Sequence, residues 1–523
     1  MTGGGGEAKS TNAVQIFGNV FISFIGAGVL GLPYAFKEAG FLEGVFIMSM
    51  VAILSTQAML MLMSCKDRVA LRVKNSGAMN EVWPHTRTQV TGENTLVPTQ
   101  TVSNGHQGSR HSNGARKGQA AQTGLPNHSL LALSSSEEDD GDGSDYELMP
   151  VRKPKKKVVY YESYHHLKNK DLDYADVAEF ALGYFGKLTV ELSLVVSQTG
   201  FCCAYLIFIQ ENLTDFVPSI EQATWLLGLL PVLAGLCFYR NLNSLSLFSI
   251  LADCANVFAY LIVFYFDFSQ HHTVSKHPKY MTLQGFPFFL GIALYCYEGA
   301  GMILALEASV HPSARHLFKG IFKLVMLIVT TLYIVFGAAG YLSFGKETQP
   351  IITLNLPDSI SPLLVKACLC FSLIFTYPMM MFPVVQLLEA KLLPEHSQLS
   401  ATRSSNNSSS ATSKYMPGNV LRCSLVCVTG VIVIAIPNFS VLMALVGSTC
   451  CTLLAFILPA IFHLYLFHEE TSICQLALNY SLIFIGTLGA LMGTWDALCR
   501  LFPTLSIFAI FNSAKETILS FVH

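Results

Sequence analysis

The stretch GAGVLGLPYAF (Gly26 to Phe36) lies in a long apolar segment near the start of the chain, and a similar stretch, GAGMILAL (Gly299 to Leu306), lies in a second apolar segment. Glycine in a helix interior costs about 1 kcal/mol relative to alanine. Pro33 lies within the first stretch and adds a further break. The two motifs therefore predict two hydrophobic helices that are interrupted at corresponding positions.

The composition is that of a membrane protein. Of the 523 residues, 52% are hydrophobic and only 13% are charged, whereas soluble domains carry about 25% charged residues. We therefore expect an all-α integral membrane protein in a lipid bilayer. The 32 Lys and Arg residues nearly balance the 34 Asp and Glu residues, so the net charge indicates no nucleic-acid partner.

The sequence carries no catalytic or cofactor signature. It shows no nucleophile–base arrangement, no metal-ligand spacing and no nucleotide-binding loop of the GxxxxGKS or GxxxxGKT kind. The fourteen cysteines lie in or beside apolar segments, where a thiol behaves as a small core residue. We therefore expect no enzyme, no metal site, no cofactor and no self-contained ATP-driven pump.

Hydrophobic length sets the predicted architecture. A spanning helix needs about 20 apolar residues, and about eleven segments are candidates: 14–36, 41–65, 188–210, 223–239, 246–268, 284–306, 318–343, 361–388, 418–436, 439–466 and 475–498. The polar segment between the second and third spans has the composition of a disordered region. The predicted organisation is a cytosolic N-terminal tail (1–13), helices 1 and 2 (14–65), a disordered cytosolic insertion (66–170), helices 3 to 11 (171–500) and a C-terminal tail (501–523).

Basic residues in the short loops indicate the orientation. Arg315, Lys319 and Lys323 lie between spans six and seven, whereas the loop between spans three and four (211–224) has neither Lys nor Arg. By the positive-inside rule the N-terminus and the insertion face the cytosol. Asn212 begins an NLT sequon in the non-cytosolic loop, which makes it a candidate for glycosylation.

The two glycine motifs also predict an internal repeat. One lies in the first span and the other in the sixth, which fits two repeats of five helices that each open with a broken helix. Discontinuous helices at corresponding positions of two repeats point to the substrate site of a transporter. The alternative is close helix packing, for which small residues are also used. Matched positions and an adjacent glutamate favour the substrate site.

Elementary chemistry suggests what such a site would bind. In hydrocarbon an unwound backbone is tolerated only where it lines a cavity and finds partners there. An amino acid supplies them, because its carboxylate accepts from freed N–H groups and half-helix N-termini, and its ammonium donates to freed carbonyls. Glu298 stands beside the second motif inside a span, where an acidic residue is functional by default. It could carry a coupling proton or act as a fixed acceptor that holds the broken helix.

Longer stretches resemble a known family. The segments NVFISFIGAGVLGLPYAFKEAG (Asn19 to Gly40), SQTGFCCAYLIFI (Ser197 to Ile209) and YCYEGAGMILALE (Tyr295 to Glu307) resemble the amino acid/auxin permease superfamily. The similarity is greatest to vacuolar or lysosomal neutral amino-acid transporters and to proton-coupled amino-acid transporters. The resemblance implies a five-plus-five inverted-repeat fold with broken helices 1 and 6. It also implies a symporter of small neutral amino acids and protons, in a vacuolar or lysosomal membrane rather than the plasma membrane.

The resemblance also transfers a candidate substrate site. The residues concerned are those of the two unwound stretches and two neighbours: Ser23, Gly26, Ala27, Gly28, Tyr297, Glu298, Gly299, Ala300 and Gly301. The sequence departs from the animal proton-coupled branch at Asn19, which stands where that branch has a histidine. Proton coupling through that histidine is therefore unavailable, and Glu298 is the coupling candidate.

The insertion is not typical of the family, and it leaves a second function open. Its basic run, Arg152 to Lys157, could bind anionic lipid at the membrane surface, or it could be part of a solvated linker. The chain could also be a nutrient sensor that binds an amino acid and signals through the insertion with little flux. Deletion of 66–170 separates the two, because a transporter should keep most of its flux.

Overall fold

The computed structural model describes residues 13–82, 171–239, 246–269, 282–357, 359–392 and 411–502. Regular structure in these ranges is entirely helical, with no strand. The predictions for the basic run 152–157, for residues 83–170 of the insertion and for residues 503–523 of the tail lie outside the described residues.

The α-helices follow the predicted spans in order. They are α1 (Ala13–Phe24), α2 (Leu32–Ala39), α3 (Phe41–Val82), α4 (Tyr174–Phe216), α5 (Gln222–Cys237), α6 (Ser246–Ser269), α7 (Phe286–Cys296), α8 (Ala300–Ser309), α9 (Arg315–Phe344), α10 (Ile360–Leu392), α11 (Ala411–Ala435), α12 (Phe439–Val446), α13 (Leu458–Leu466) and α14 (Ile473–Leu501).

The helix lengths confirm a multi-pass membrane protein. Within the described ranges, eight helices are long and apolar enough to cross a membrane, and the bent pair α1–α2 makes a ninth. Two shorter apolar helices, Gln222–Cys237 and Cys254–Phe266, coincide with the predicted fourth and fifth spans. Each of the eleven predicted segments therefore coincides with a helix or a broken helix.

Helix α3 continues past residue 65, where the sequence predicted the insertion to begin, and ends only at Val82. Ion pairs with distant parts of the chain accompany this extension. Lys66 contacts Glu307 of α8 at 2.7 Å, and Asp67 contacts Lys319 of α9 at 2.8 Å. The side chains of Lys66 and Glu307 are only 11% and 7% exposed. The partners lie some 240 residues away in sequence, so local composition could not reveal them.

The tenth span is not a uniform α-helix. Between α12 and α13 the chain forms two π-helical stretches, Gly447–Cys451 and Leu453–Ile457. The hydroxyl of Tyr174 donates a hydrogen bond of 2.7 Å to the Leu454 carbonyl within this region. A Cβ at Gly447 would lie 1.8 Å from the carbonyl oxygen of Gly291 on α7, so only glycine permits this approach. The π-helical region thus lies directly against the sixth span.

Candidate functional site

The first span is broken where the sequence predicted. Helix α1 ends at Phe24, and a 3₁₀ turn from Ala27 to Gly31 leads into α2. The two halves are bent by 46°. Gly26 between them is extended, with φ −118° and ψ 179°. Pro33 lies in the first turn of α2, where its missing N–H costs no helical hydrogen bond.

The break separates backbone groups that a continuous helix would pair. The carbonyl of Phe24 accepts a short hydrogen bond from the hydroxyl of Tyr333, and the carbonyl of Gly26 accepts one of 3.1 Å from Tyr260. The 3₁₀ turn makes its first internal bond from Val29 N–H to the Gly26 carbonyl at 3.3 Å. The N–H groups at the start of such a turn have no partner within it.

The sixth span is broken as well. Helix α7 ends at Cys296 and α8 begins at Ala300, with Gly299 at φ −149° and ψ −2° between them. Oxygen Oε1 of Glu298 accepts the Gly301 N–H at 3.3 Å and so caps α8. Its other oxygen, Oε2, is buried and has no hydrogen-bond partner among the described residues. Both predicted breaks are therefore confirmed, and one carboxylate oxygen remains unused.

The two breaks lie against each other. A Cβ at Gly28 would lie 3.1 Å from Sγ of Cys296 and 3.1 Å from the ring of Tyr295. A Cβ at Gly299 would lie 2.5 Å from the ring of Phe24. Side chains larger than hydrogen at these two glycines would push the broken helices apart.

A cavity of about 50 Å³ lies between the breaks. Its predicted members are Ser23, Gly26, Ala27, Gly28 and Glu298. Ser23 donates to the Asn19 carbonyl at 2.7 Å, and Glu298 supplies the only carboxylate of the lining. The structure thus brings together the first glycine motif and the intramembrane glutamate that the sequence singled out.

The other predicted residues lie behind this surface. Tyr297, Gly299, Ala300 and Gly301 do not line the cavity. Tyr297 is fully buried, with its ring centroid 5.4 Å from that of Tyr333. A Cβ at Gly301 would lie 2.6 Å from Cδ2 of Leu194 on α4. In this conformation the second motif shapes the backbone and packs, while the first motif lines the cavity.

Sequence reasoning missed most of the cavity wall. The residues missed are aromatic and sulfur-containing side chains from six helices: Phe24, Phe201, Tyr205, Tyr295, Cys296, Met302, Tyr333 and Met380. Each lies in an apolar run, where it cannot be told from an ordinary core residue. The hydroxyl of Tyr295 is buried without a hydrogen-bond partner among the described residues, so it and Glu298 Oε2 both remain available at this site.

Asn212, the glycosylation candidate, lies inside α4 rather than in a loop. It is 2% exposed, its Nδ2 donates to the Phe208 carbonyl at 2.8 Å, and its Oδ1 accepts from the Thr353 hydroxyl at 2.7 Å. Helix α4 extends to Phe216, about one and a half turns past the predicted end of the span. The folded protein therefore uses Asn212 to tie α4 to the loop after α9.

Comparison with known proteins agrees with this geometry. The family model "Transmembrane amino acid transporter protein" matches residues 9–82 and 158–499. The chain is 27% identical over 502 residues to the amino acid transporter ANT1 of Arabidopsis thaliana, covering 93% of this chain and 92% of that protein. It is 28% identical over 503 residues to the amino acid transporter AVT3A of the same plant, covering 94% and 90%.

Two broken helices beside one cavity in a polytopic helical protein are an architecture typical of secondary transporters. The extent of the match shows the family, and this chain belongs to the transmembrane amino acid transporter family. Its relatives are transporters and not enzymes, as the absence of catalytic motifs predicted. Amino acids as substrates and embedding in a membrane follow from this membership.

Proposed function

We propose that the protein transports small neutral amino acids by alternating access around the cavity between the two broken helices. The single observation that carries the proposal is that the first break and Glu298 line one cavity. The substrate carboxylate would accept from the N–H groups of Ala27 and Gly28, at the start of the 3₁₀ turn. The substrate ammonium would donate to Oε2 of Glu298, which has no hydrogen-bond partner among the described residues. The other oxygen, Oε1, accepts the Gly301 N–H at 3.3 Å and caps α8.

The lining supports a neutral side chain. Among the residues that the structure describes, it contains one carboxylate and no Lys, Arg or His. A charged substrate side chain would be buried without a counter-charge, and burial of an unpaired charge is strongly unfavourable. Phe201, Met302 and Met380 offer apolar contact instead.

The volume supports a small substrate. A cavity of about 50 Å³ has room for only a few water molecules, each of which needs about 10–15 Å³. Methionine side chains are flexible and adapt to irregular gaps. Rearrangement of Met302 and Met380 would admit a small amino acid, whereas a large aromatic substrate would require movement of the helices themselves.

Proton coupling is part of the proposal, with Glu298 as the coupling group. Its carboxyl is the titratable acid of the cavity and is 7% exposed. A proton on Oε2 would neutralise the group in the substrate-free carrier while Oε1 still accepts the Gly301 N–H, and the arriving substrate ammonium would displace that proton. The alternative, a fixed carboxylate that only holds α8 and the substrate ammonium, makes the opposite prediction for a Gln substitution. The proposal that the protein lies in a vacuolar or lysosomal membrane, where a proton gradient is available, rests on the family resemblance alone.

The test is uptake of labelled alanine, proline and leucine into proteoliposomes with and without an imposed pH gradient. Saturable uptake that the gradient drives supports proton-coupled transport. Saturable uptake indifferent to the gradient supports transport and rejects proton coupling. Binding without flux favours the sensor, and neither binding nor flux for any of the three rejects the substrate class.

A further inference from the structure

Two tyrosine hydroxyls donate hydrogen bonds to the backbone carbonyls that the first break exposes. Tyr333 of α9 donates to the Phe24 carbonyl, and Tyr260 of α6 donates to the Gly26 carbonyl at 3.1 Å. Tyr333 is 2% exposed. Neither tyrosine is adjacent to the break in sequence, and the two come from different helices.

Aromatic packing fixes both hydroxyls. The ring of Tyr333 lies against that of Tyr297 beside the second break, with centroids 5.4 Å apart. The ring of Tyr260 meets Phe336 edge to face, with centroids 6.3 Å apart and planes at 87°. Phe336 follows Tyr333 by one turn on α9. One helix therefore positions both tyrosines, one directly and one through a neighbouring ring.

The hydroxyl of Tyr333 replaces a helical donor. In a continuous α-helix the Phe24 carbonyl would accept the N–H of the residue four positions on, which is Gly28. A carbonyl left without a donor in a water-poor site costs free energy, so a break with no substitute donor would tend to close. With Tyr333 bonded to Phe24, the N–H of Gly28 stays available to the cavity.

We propose that Tyr260 and Tyr333 are positioning residues that hold the first helix open in the absence of substrate. The substrate then meets a preformed site and does not have to unwind the helix itself. A protein whose competent state is only partly populated binds its ligand more weakly by that fraction. Loss of either hydroxyl should therefore weaken apparent affinity, and loss of the Tyr260 hydroxyl, which lies outside the cavity lining, should leave the turnover of the loaded carrier little changed.

Tyr260→Phe is the decisive variant, because Tyr260 does not line the cavity and its loss removes no contact with substrate. Tyr333→Phe is measured beside it. The matched control is Tyr377→Phe, which removes a buried tyrosine hydroxyl bonded at 2.8 Å to Thr429 between α10 and α11. KM and Vmax for alanine are measured in proteoliposomes, and the Kd of alanine is measured in detergent.

For Tyr260→Phe and Tyr333→Phe we expect KM and Kd to rise about tenfold, which corresponds to about 1.4 kcal/mol. For Tyr260→Phe, which alters no residue of the cavity lining, we expect Vmax within about twofold of wild type. For Tyr377→Phe we expect KM unchanged. A fall in Vmax at constant KM in the Tyr260 variant would show a merely structural role and overturn the inference, as would unchanged kinetics. This inference takes its substrate from the proposed function. If the wild-type protein neither binds nor transports alanine, the result rejects the proposed function and not the role of the two tyrosines.

Discussion

Gly26 offers the sharpest perturbation of the cavity. It lines the cavity, its backbone is extended at φ −118° and ψ 179°, and a Cβ built on it would meet no atom within 4 Å. An alanine can therefore be introduced there without backbone strain or collision of its Cβ with the protein. Any effect on transport then comes from space taken from the substrate.

The magnitude follows from the volumes. A methyl group is about the size of a water molecule, and the cavity of about 50 Å³ has room for only a few such groups at about 10–15 Å³ each, so Gly26→Ala removes a substantial part of it. One methylene group in a binding pocket changes specificity by about 1–3 kcal/mol, or 10- to 200-fold. We expect Gly26→Ala to raise KM within this range, more for leucine than for alanine, and Gly26→Val to abolish uptake of both.

The assay is initial-rate uptake of labelled alanine and leucine into proteoliposomes, with protein folding checked by size-exclusion chromatography and thermal melting. Gly18→Ala is the matched control, because Gly18 lies on α1, has the same open surroundings and does not line the cavity. Unchanged KM for both substrates in a folded Gly26→Val protein would refute the placement of substrate in this cavity.

Three further predictions follow from the hydrogen bonds and ion pairs of Glu298, Glu307 and Asn212. Glu298→Gln keeps an acceptor for the Gly301 N–H but cannot take up a proton, so we expect uptake that an imposed pH gradient no longer accelerates; retained acceleration would exclude Glu298 as the coupling group. Lys66→Met leaves the buried Glu307 carboxylate unpaired and should lower the free energy of unfolding by about 3–5 kcal/mol. Adding Glu307→Gln to the Lys66→Met protein should recover most of the lost stability in thermal melts. No recovery would contradict a stabilising ion pair between Lys66 and Glu307. Asn212→Asp removes the Nδ2 donor to the Phe208 carbonyl and should lower the free energy of unfolding by about 1–3 kcal/mol. Because Asn212 is buried, we also expect glycosidase treatment to leave the gel mobility of the wild-type protein unchanged. A mobility shift of the wild-type protein would contradict the burial of Asn212.

Hydropathy and spacing sufficed for the architecture. The segments 14–36 and 284–306 were predicted as interrupted spans, and the structure breaks them at Gly26 and at Glu298–Gly299. This worked because a glycine costs about 1 kcal/mol in a helix interior and an intramembrane acid is rare and costly. Such local signals do not depend on knowing the tertiary contacts.

The rest of the site depends on contacts that sequence patterns do not encode. Phe201, Tyr205 and Met380 reach the cavity from helices α4 and α10, yet their types are those of any membrane core. The hydrogen bonds from Tyr260 and Tyr333 join residues separated by 234 and 309 positions. Hydropathy also placed Asn212 in a loop, because it marks the apolar part of a helix and not the helix end.

The central claim concerns where the amino acid binds, and a cryo-electron microscopy structure of the protein saturated with alanine tests it most directly. The account predicts density between the broken helices, with the carboxylate at the N–H groups of Ala27 and Gly28 and the ammonium at Oε2 of Glu298. Alanine density elsewhere in the protein, or an empty cavity in a sample whose binding has been verified, would contradict it.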